Sequence, residues 1–379
     1  MPVITNIDDL RRMAQRRVAR AISDYVARGS YDEQTLRANR ADLEALRFRQ
    51  RVAIDVDRRS TRTTMAGEEA AMPVAIAPVG LTGLNWADGE ILGARAAQAF
   101  GIPFTLSTMS ICSIEDVAGE VGKPFWFQLY VMRDRGFAAS LIERAKAAKC
   151  SALVLTLDLQ IQGQRHRDLK NGLAVPPKLT PGTLLDVMGK PGWALNVLGG
   201  RRKSFGNLEG RIPDAKSLTT LSQWIAGQFD PTLSWKDVEW VKSLWGGKLI
   251  LKGILDAEDA KIAASTGADA IVVSNHGGRQ LDGTVSSIRA LPEVVQAVGG
   301  RCEVWFDGGI QSGQDVLRAL ALGARGTMIG KAFAWGLGAM GEAGVTRVLE
   351  ILQKELDVTM ALCGLRDVKE ANPSILRGA

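Results

Sequence analysis

Eight short apolar runs separated by helical stretches constrain this chain more than any other feature. The runs are Val74-Ala-Ile-Ala-Pro78, Pro103-Phe-Thr-Leu-Ser107, Phe125-Trp-Phe-Gln-Leu-Tyr130, Ala152-Leu-Val-Leu-Thr-Leu-Asp158, Lys248-Leu-Ile-Leu-Lys252, Ala270-Ile-Val-Val-Ser274, Glu303-Val-Trp-Phe-Asp307 and Gly326-Thr-Met-Ile-Gly330. Strands this continuously apolar are buried on both faces, as in a parallel sheet under helices. Helical stretches at 88–100, 134–148, 256–266, 287–298 and 313–322 lie between them. The pattern predicts an α/β protein built as a closed (β/α)8 TIM barrel. A length of 379 residues suits one such barrel, so a single domain over 1–379 is expected. Ahead of the barrel, residues 1–70 form an N-terminal helical segment. One helix is expected over 6–28, opening at Asn6 with acids in its first turn, and a second from Asp32 to about Leu46.

In a barrel of this kind the chemistry gathers at the C-terminal ends of the strands. Those ends carry Ser107, Gln128 and Tyr130, Thr156 and Asp158, Lys252, Ser274 and His276, Asp307-Gly308-Gly309, and Gly330-Lys331. The most pointed stretch is Ser274-Asn-His-Gly-Gly-Arg-Gln-Leu-Asp-Gly283. Its paired glycines let backbone approach a ligand closely. With two histidines in the whole chain, His276 is the leading source of a base that titrates near neutrality. Arg279 supplies a planar two-pronged donor of the kind that grips a carboxylate. A base beside a carboxylate clamp points to proton removal from a small organic acid. The bland alternative is a satisfied histidine in a glycine-rich turn. The other histidine, His166, lies in a charged loop and is expected to be solvated.

Charge and cysteine usage remove other classes. The net charge is +6 with a pI near 9.2, and no basic run is interleaved with aromatics, which argues against nucleic acid. A basic surface suits an acidic substrate or an anionic membrane face. Cys112, Cys150, Cys302 and Cys363 lie far apart, against a metal site or a disulfide framework. No basic, apolar leader opens the chain, and no apolar run reaches the ~18 residues that span a bilayer. A cytoplasmic protein is expected, with the inner face of the membrane as a peripheral site.

After the fourth strand, residues 159–233 form an insertion far longer than a usual barrel loop. Within it Lys178, Lys190, Arg201, Arg202 and Lys203 face one acid, Asp186. Leu179, Leu184, Leu185, Val187, Met188, Trp193, Leu195, Val197 and Leu198 are interleaved with them. Basic residues around an apolar, Trp-bearing segment suit an interfacial membrane contact, and a lid or subunit contact is the competing reading.

With these residues in view, the chain resembles the FMN-dependent L-2-hydroxy acid oxidases and dehydrogenases over nearly its whole length. The resemblance is carried by Ala75-Ile-Ala-Pro, Phe127-Gln-Leu-Tyr, Leu155-Thr-Leu-Asp with Gly163-Gln-Arg-His-Arg-Asp, Lys252-Gly, the Ser274–Asp282 stretch and Asp307-Gly-Gly-Ile. The insertion is similar to that of the bacterial respiratory L-lactate and mandelate dehydrogenases. The resemblance implies that His276 is the catalytic base, taking the Cα proton or the hydroxyl proton as a hydride leaves. It implies that Asp158 orients the imidazole and raises its basicity. Arg279 and Tyr25 would bind the substrate carboxylate with Arg165 nearby, and Tyr130 would bond the substrate hydroxyl or the keto oxygen formed from it. Lys252 would sit by the flavin N1–O2 edge, where negative charge builds on reduction. Ser107, Gln128 and Thr156 would bond the isoalloxazine rim, with Ala77, Pro78, Val79 and Ser274 also in the FMN site. Asp307, Gly308, Gly309, Gln311, Gly330 and Lys331 would serve the ribityl chain and phosphate. A homotetramer is the assembly the resemblance implies, and no metal is called for.

The chain departs from its relatives at two places. Arginine is usual after Asp-Gly-Gly-Ile and after the last Ile-Gly, where this chain has Gln311 and Lys331. Losing a charge-assisted hydrogen bond costs about 1.5–3 kcal/mol, so weaker FMN binding is expected. Gly80 and Met109, which relatives place in the substrate side-chain pocket, leave room for an acid larger than glycolate. The leading expectation is an FMN-dependent dehydrogenase that turns an L-2-hydroxy acid, foremost L-lactate, into the 2-keto acid and passes electrons to a quinone or another carrier. The alternatives are an oxidase using O2, a flavin-poor relative that binds a hydroxy acid, and an FMN barrel acting on a phosphorylated substrate.

Overall fold

Each of the eight apolar runs becomes a strand. They are β1 (Val74–Ile76), β2 (Thr105–Ser107), β3 (Trp126–Leu129), β4 (Ala152–Thr156), β5 (Lys248–Ile254), β6 (Ala270–Val273), β7 (Glu303–Asp307) and β8 (Gly326–Ile329). The computed structural model describes residues 3–172, 181–210, 224–225 and 227–377. Neighbouring strands pair in parallel in the order β1-β8-β7-β6-β5-β4-β3-β2, and a parallel bridge between Ile76 and Phe104 links β1 to β2. The fold is the (β/α)8 barrel that the strand pattern predicts.

Alternation along the strands separates two cores. Ala152 and Val154 of β4 point inward with Trp126, Ile250, Ala270, Val272, Trp305 and Met328, whereas Leu153 and Leu155 pack outward under the helices. Trp126 and Trp305 stack at 5.2 Å, and the hairpin Thr63–Met65/Glu68–Ala70 drives the fully buried Met65 into the same cluster. The N-terminal mouth of the barrel is thereby filled, and the large cavity lies at the opposite end, where the strands point their C-termini.

The N-terminal segment differs from the expected single helix. Asn6 caps Ile7–Arg17 by accepting from the Asp9 amide at 3.0 Å. The helix then breaks at Val18, which is extended, and Ala19, which is non-helical, before Arg20–Ala27. Neither glycine nor proline explains the break. Val18, Ala19 and Ile22 form one buried cluster with Trp193 and Val197 of the insertion, and the turn places all three there. A third helix, Gln34–Ala45, packs against helices Ser287–Val298 and Gly313–Ala321.

The insertion contributes helices Pro181–Met188 and Pro191–Gly199. Leu184, Leu185, Met188, Leu195 and Leu198 are exposed, as an interfacial contact requires. Several residues of the expected face are committed elsewhere, Val197 among them. Trp193 is buried and donates to Leu84 O at 2.8 Å, Arg202 pairs with Asp88 and Asp116 at 2.7 and 2.8 Å, and Lys190 donates to backbone carbonyls of Gln15 and Arg16. Lys178 and Leu179 lie outside the described residues. No described helix is long and apolar enough to cross a membrane.

Candidate active site

A cavity of about 530 Å³ opens at the C-terminal mouth, and the ends of all eight strands line it. Its chemistry begins with the turn after β6. His276 has φ 58°, and Gly277 and Gly278 continue in the left-handed region at 66° and 74°. A left-handed histidine is strained, at a cost of about 1–3 kcal/mol, and persists only where its surroundings impose it. Here the His276 amide donates to Ser274 Oγ at 3.0 Å and the Gly278 amide to Asn275 Oδ1 at 3.0 Å. Asn275 in turn exchanges two 2.8 Å hydrogen bonds with Asn39 of helix Gln34–Ala45.

The imidazole is fixed from β4. Its Nδ1 lies 2.9 Å from Asp158 Oδ1. Room for that carboxylate comes from β5, where Gly253 takes φ 103° at a shift in strand register. A Cβ on Gly253 would fall 2.7 Å from Asp158 Cβ and Cγ, so only glycine lets the two strands approach. Burial pushes Asp158 toward protonation, but His276 and Lys252 outweigh it and hold the carboxyl below its usual range. For His276 burial is the larger influence and wins over Asp158, so the imidazole lies below its ordinary value. The resemblance implies that Asp158 raises the base; it acts in that direction, but desolvation exceeds it.

Three distant segments make the cationic side of the cavity. Arg279 donates to the carbonyls of Tyr25 and Arg28, the latter at 2.9 Å, and lies 4.6 Å over the Tyr25 ring. Arg165 Nε donates to Arg279 O at 3.4 Å. Burial, helped by Arg165, lowers Arg279 to about 10, which leaves it charged at neutral pH. Burial also raises the Tyr130 phenol, so it remains a hydroxyl donor.

The strand ends form a polar floor. Lys252 pairs with Asp307 at 2.6 Å and donates to Ser274 Oγ at 2.8 Å. Gln128 Oε1 accepts from Ser107 Oγ and from the Thr108 amide, both at 3.2 Å. Lys331 donates to Gly277 O at 3.1 Å, and burial, with Arg279 next, lowers it to about 7. The Gln311 amide donates to Asp315 at 3.0 Å, and Asp315 also binds Arg40 at 2.6 Å. Gln128 Nε2, Thr156 Oγ1, Asp158 Oδ2 and Asp307 Oδ1 are buried with no hydrogen-bond partner among the described residues.

The structure brings the sequence candidates together. Tyr25, Ala77, Pro78, Val79, Gly80, Ser107, Met109, Tyr130, Thr156, Arg165, Lys252, His276, Arg279, Asp307, Gly308, Gly309, Gln311, Gly330 and Lys331 line the cavity. Gln128, Asp158 and Ser274 sit immediately behind that lining. His166 is exposed, its ring edge-on to Tyr31 at 5.6 Å. Sequence reasoning missed Asp168, a buried carboxyl lining the cavity whose pKa burial raises against Arg279 and Arg165. Its spacing of three residues from Arg165 on a short helix was the available signal. Leu159, Phe205 and Phe229, which wall the cavity from the insertion, carried no signal at all.

Comparison with known proteins agrees over the full chain. Residues 14–378 match the family model of the FMN-dependent dehydrogenases. The chain is 48% identical to an L-lactate dehydrogenase of Caulobacter vibrioides over 375 residues, 99% of this chain and 98% of the relative. It is equally identical to an L-lactate dehydrogenase of Pseudomonas syringae pv. syringae, with the same coverage. Among solved structures, the monotopic membrane protein (S)-mandelate dehydrogenase superposes with a TM-score of 0.95 at 36% identity, covering all of both chains. A mandelate oxidase superposes with a TM-score of 0.84 at 38% identity over 99% of this chain and 98% of its own.

Proposed function

The chain belongs to the FMN-dependent dehydrogenase family, and from that membership we propose that it oxidises L-lactate to pyruvate with His276 as the base. It is an FMN-dependent L-2-hydroxy acid dehydrogenase. The observation that carries the finer reading is the 2.9 Å His276–Asp158 contact beside a cavity that also holds Arg279 and Arg165.

FMN suits the floor of the cavity. The unpartnered Gln128 Nε2, Thr156 Oγ1 and Asp307 Oδ1 include donors and acceptors, as the mixed N–H and carbonyl edge of an isoalloxazine needs. Ser107, Gln128, Thr156 and Lys252 would hold that edge, Ala77, Pro78, Val79 and Ser274 would complete the pocket, and Asp307–Gly309, Gln311, Gly330 and Lys331 would hold the ribityl phosphate. When bound, FMN supplies the acceptor for the two electrons that leave the substrate carbon.

The chain's own residues do the rest. With Nδ1–H donated to Asp158, His276 presents an unprotonated Nε2 to the cavity. It takes one proton from the 2-hydroxy acid, and Asp158 stabilises the imidazolium that results. Arg279, Tyr25 and Arg165 hold the substrate carboxylate, which fixes the α-carbon against the base. Tyr130 keeps its proton and donates a hydrogen bond to the oxygen that becomes the keto group. Gly80 and Met109 border the side chain.

L-Lactate is favoured by the curated relatives. A larger aryl acid is the second reading, favoured by the small Gly80 and by the likeness to mandelate dehydrogenase. The exposed leucines of the insertion support a peripheral membrane contact and a quinone or other carrier as electron acceptor, with O2 as the alternative. The test is the visible spectrum of the purified protein before and after anaerobic addition of L-lactate, then of L-mandelate. Bleaching of the flavin band by L-lactate is the expected result, and fast reoxidation by air would transfer the protein to the oxidases. A flavin that neither acid bleaches would end the reading.

A further inference from the structure

We propose that Asn207, deep in the long insertion, is a positioning residue for the active site: it holds the turn after β2 from which Gln128, Met109 and Tyr130 take their places. The insertion's helices are half-exposed, yet Asn207 is fully buried. Its Nδ2 lies 3.3 Å from Ser107 O, 3.3 Å from Thr108 O and 3.0 Å from Ser110 Oγ. Its Oδ1 accepts at 2.9 Å from the Ile114 amide, which opens helix Ile114–Glu120. A single side-chain amide thus ties down both ends of the turn.

The backbone around it is built for close approach. Gly206 donates to Ser110 O at 3.2 Å, and a Cβ there would fall 2.5 Å from Ser113 N and 2.6 Å from Ile111 O. Behind the segment, Arg144 donates to Asn207 O at 2.8 Å while pairing with both Glu115 oxygens at 2.7 Å. Residues 204–208 are therefore clamped to the barrel, unlike the exposed leucines upstream.

The turn transmits this placement to the cavity. Thr108 Oγ1 donates to Gln128 O at 2.6 Å and accepts from the Tyr130 amide at 3.3 Å. Both donors to Gln128 Oε1 come from the turn, which orients that amide and leaves Nε2 as its unpartnered end. The Met109 amide donates to Ser107 Oγ at 3.1 Å, and Met109 borders the cavity. Without the Asn207 side chain, Thr108 O and Ser110 Oγ lose this donor, the Ile114 amide loses its acceptor, and Ser107 O keeps only the Ser110 amide, which loosens a buried turn.

The inference rests on the reading that Gln128 bonds FMN and that Met109 borders the substrate. Four variants test it: Asn207→Ala, Gly206→Ala, Gln128→Leu and, as a control on the same insertion, Leu195→Ser. For each, FMN binding to the apoprotein is followed by flavin fluorescence, the flavin absorption bands are recorded, and KM and kcat for L-lactate are measured. Asn207→Ala is expected to weaken FMN binding about tenfold, to shift the flavin bands and to raise KM more than it lowers kcat. Gly206→Ala, which displaces the segment with the amide intact, should give the same pattern, and Leu195→Ser none of it. The proposal is overturned if either folded variant at 206 or 207 keeps FMN affinity, bands and KM within about twofold of the parent while Gln128→Leu weakens FMN. If Gln128→Leu changes nothing, the assignment of Gln128 has failed instead. KM, read through Met109, then decides for or against Asn207.

Discussion

The floor of the cavity and its cationic wall are assembled in opposite ways. The floor consists of strand ends whose heights are set by the register of one sheet: Ser107 pairs with Gln128, and Thr156 with Lys252. The wall joins Tyr25 from an N-terminal helix, Arg165 from the insertion and Arg279 from the turn after β6, held by contacts across more than 100 residues of sequence. Register sets the heights of the floor's strand ends, and from the insertion Asn207 helps to hold them. The wall stays in place only while separate segments remain docked. Damage to the floor should therefore appear in chemistry and in FMN binding, and damage to the wall in KM.

The sharpest break would come at the base. His276→Gln should cut kcat by about 10³–10⁴-fold with the flavin still bound, and a loss under about tenfold would remove His276 from the chemistry. Asp158→Asn should lower kcat by about 10²-fold and also move the pH profile. Because burial holds His276 below its usual value, the acid limb of kcat/KM should lie below about pH 6.5 in the parent. Asp158 works against that burial, so removing its charge should shift the limb further toward acid. A limb that moves toward alkaline pH would reverse the electrostatics described for this pair.

At the wall, Arg279→Lys keeps the charge and loses the fork. KM for L-lactate should rise about ten- to hundredfold with a much smaller change in kcat. An equal fall in kcat would mean that Arg279 serves the floor as well. On the floor, Lys331 is lowered to about 7. A phosphate dianion favours the charged amine, so above about pH 7 the empty site must take up a proton to bind FMN. Affinity measured by fluorescence titration should weaken by up to about tenfold per pH unit over that range. Gln311→Arg should tighten FMN about tenfold at fixed pH, and unchanged affinity would show that backbone amides carry the phosphate alone. The smallest effect belongs to Leu195→Ser on the exposed insertion helix. Activity on L-lactate should stay within about twofold, while binding to anionic vesicles falls.

The same contrast explains what could be read in advance. All eight strands followed from the apolar runs, because burial on both faces leaves a composition that no surface strand has. Strand-end polar residues could be collected into one site because barrel topology brings those ends together whatever lies between them. The break at Val18–Ala19 could not be foreseen. Val18 and Ala19 share their buried cluster with Trp193, which sits 174 residues further along in a segment whose sequence suits a membrane contact or a lid. Lys190 and Arg202 suit a basic membrane face or a lid by sequence for the same reason: a sequence shows charge but not the carboxylate or carbonyl that the fold will bring to it.

By itself, the sequence determined which groups were available: two histidines, three tyrosines, a glycine after Lys252 and a glycine-rich turn after a buried strand. Those identities bound the chemistry, because side-chain type decides what can hold a proton or a carboxylate. Only the tertiary structure decided their state. Burial made His276 a weaker base than its carboxylate partner alone would make it, and brought Lys331 to about 7. It also took Asn207 out of a long excursion and set it under the cavity floor. Desolvation and packing depend on everything within a few ångströms, and most of those neighbours are distant in the chain.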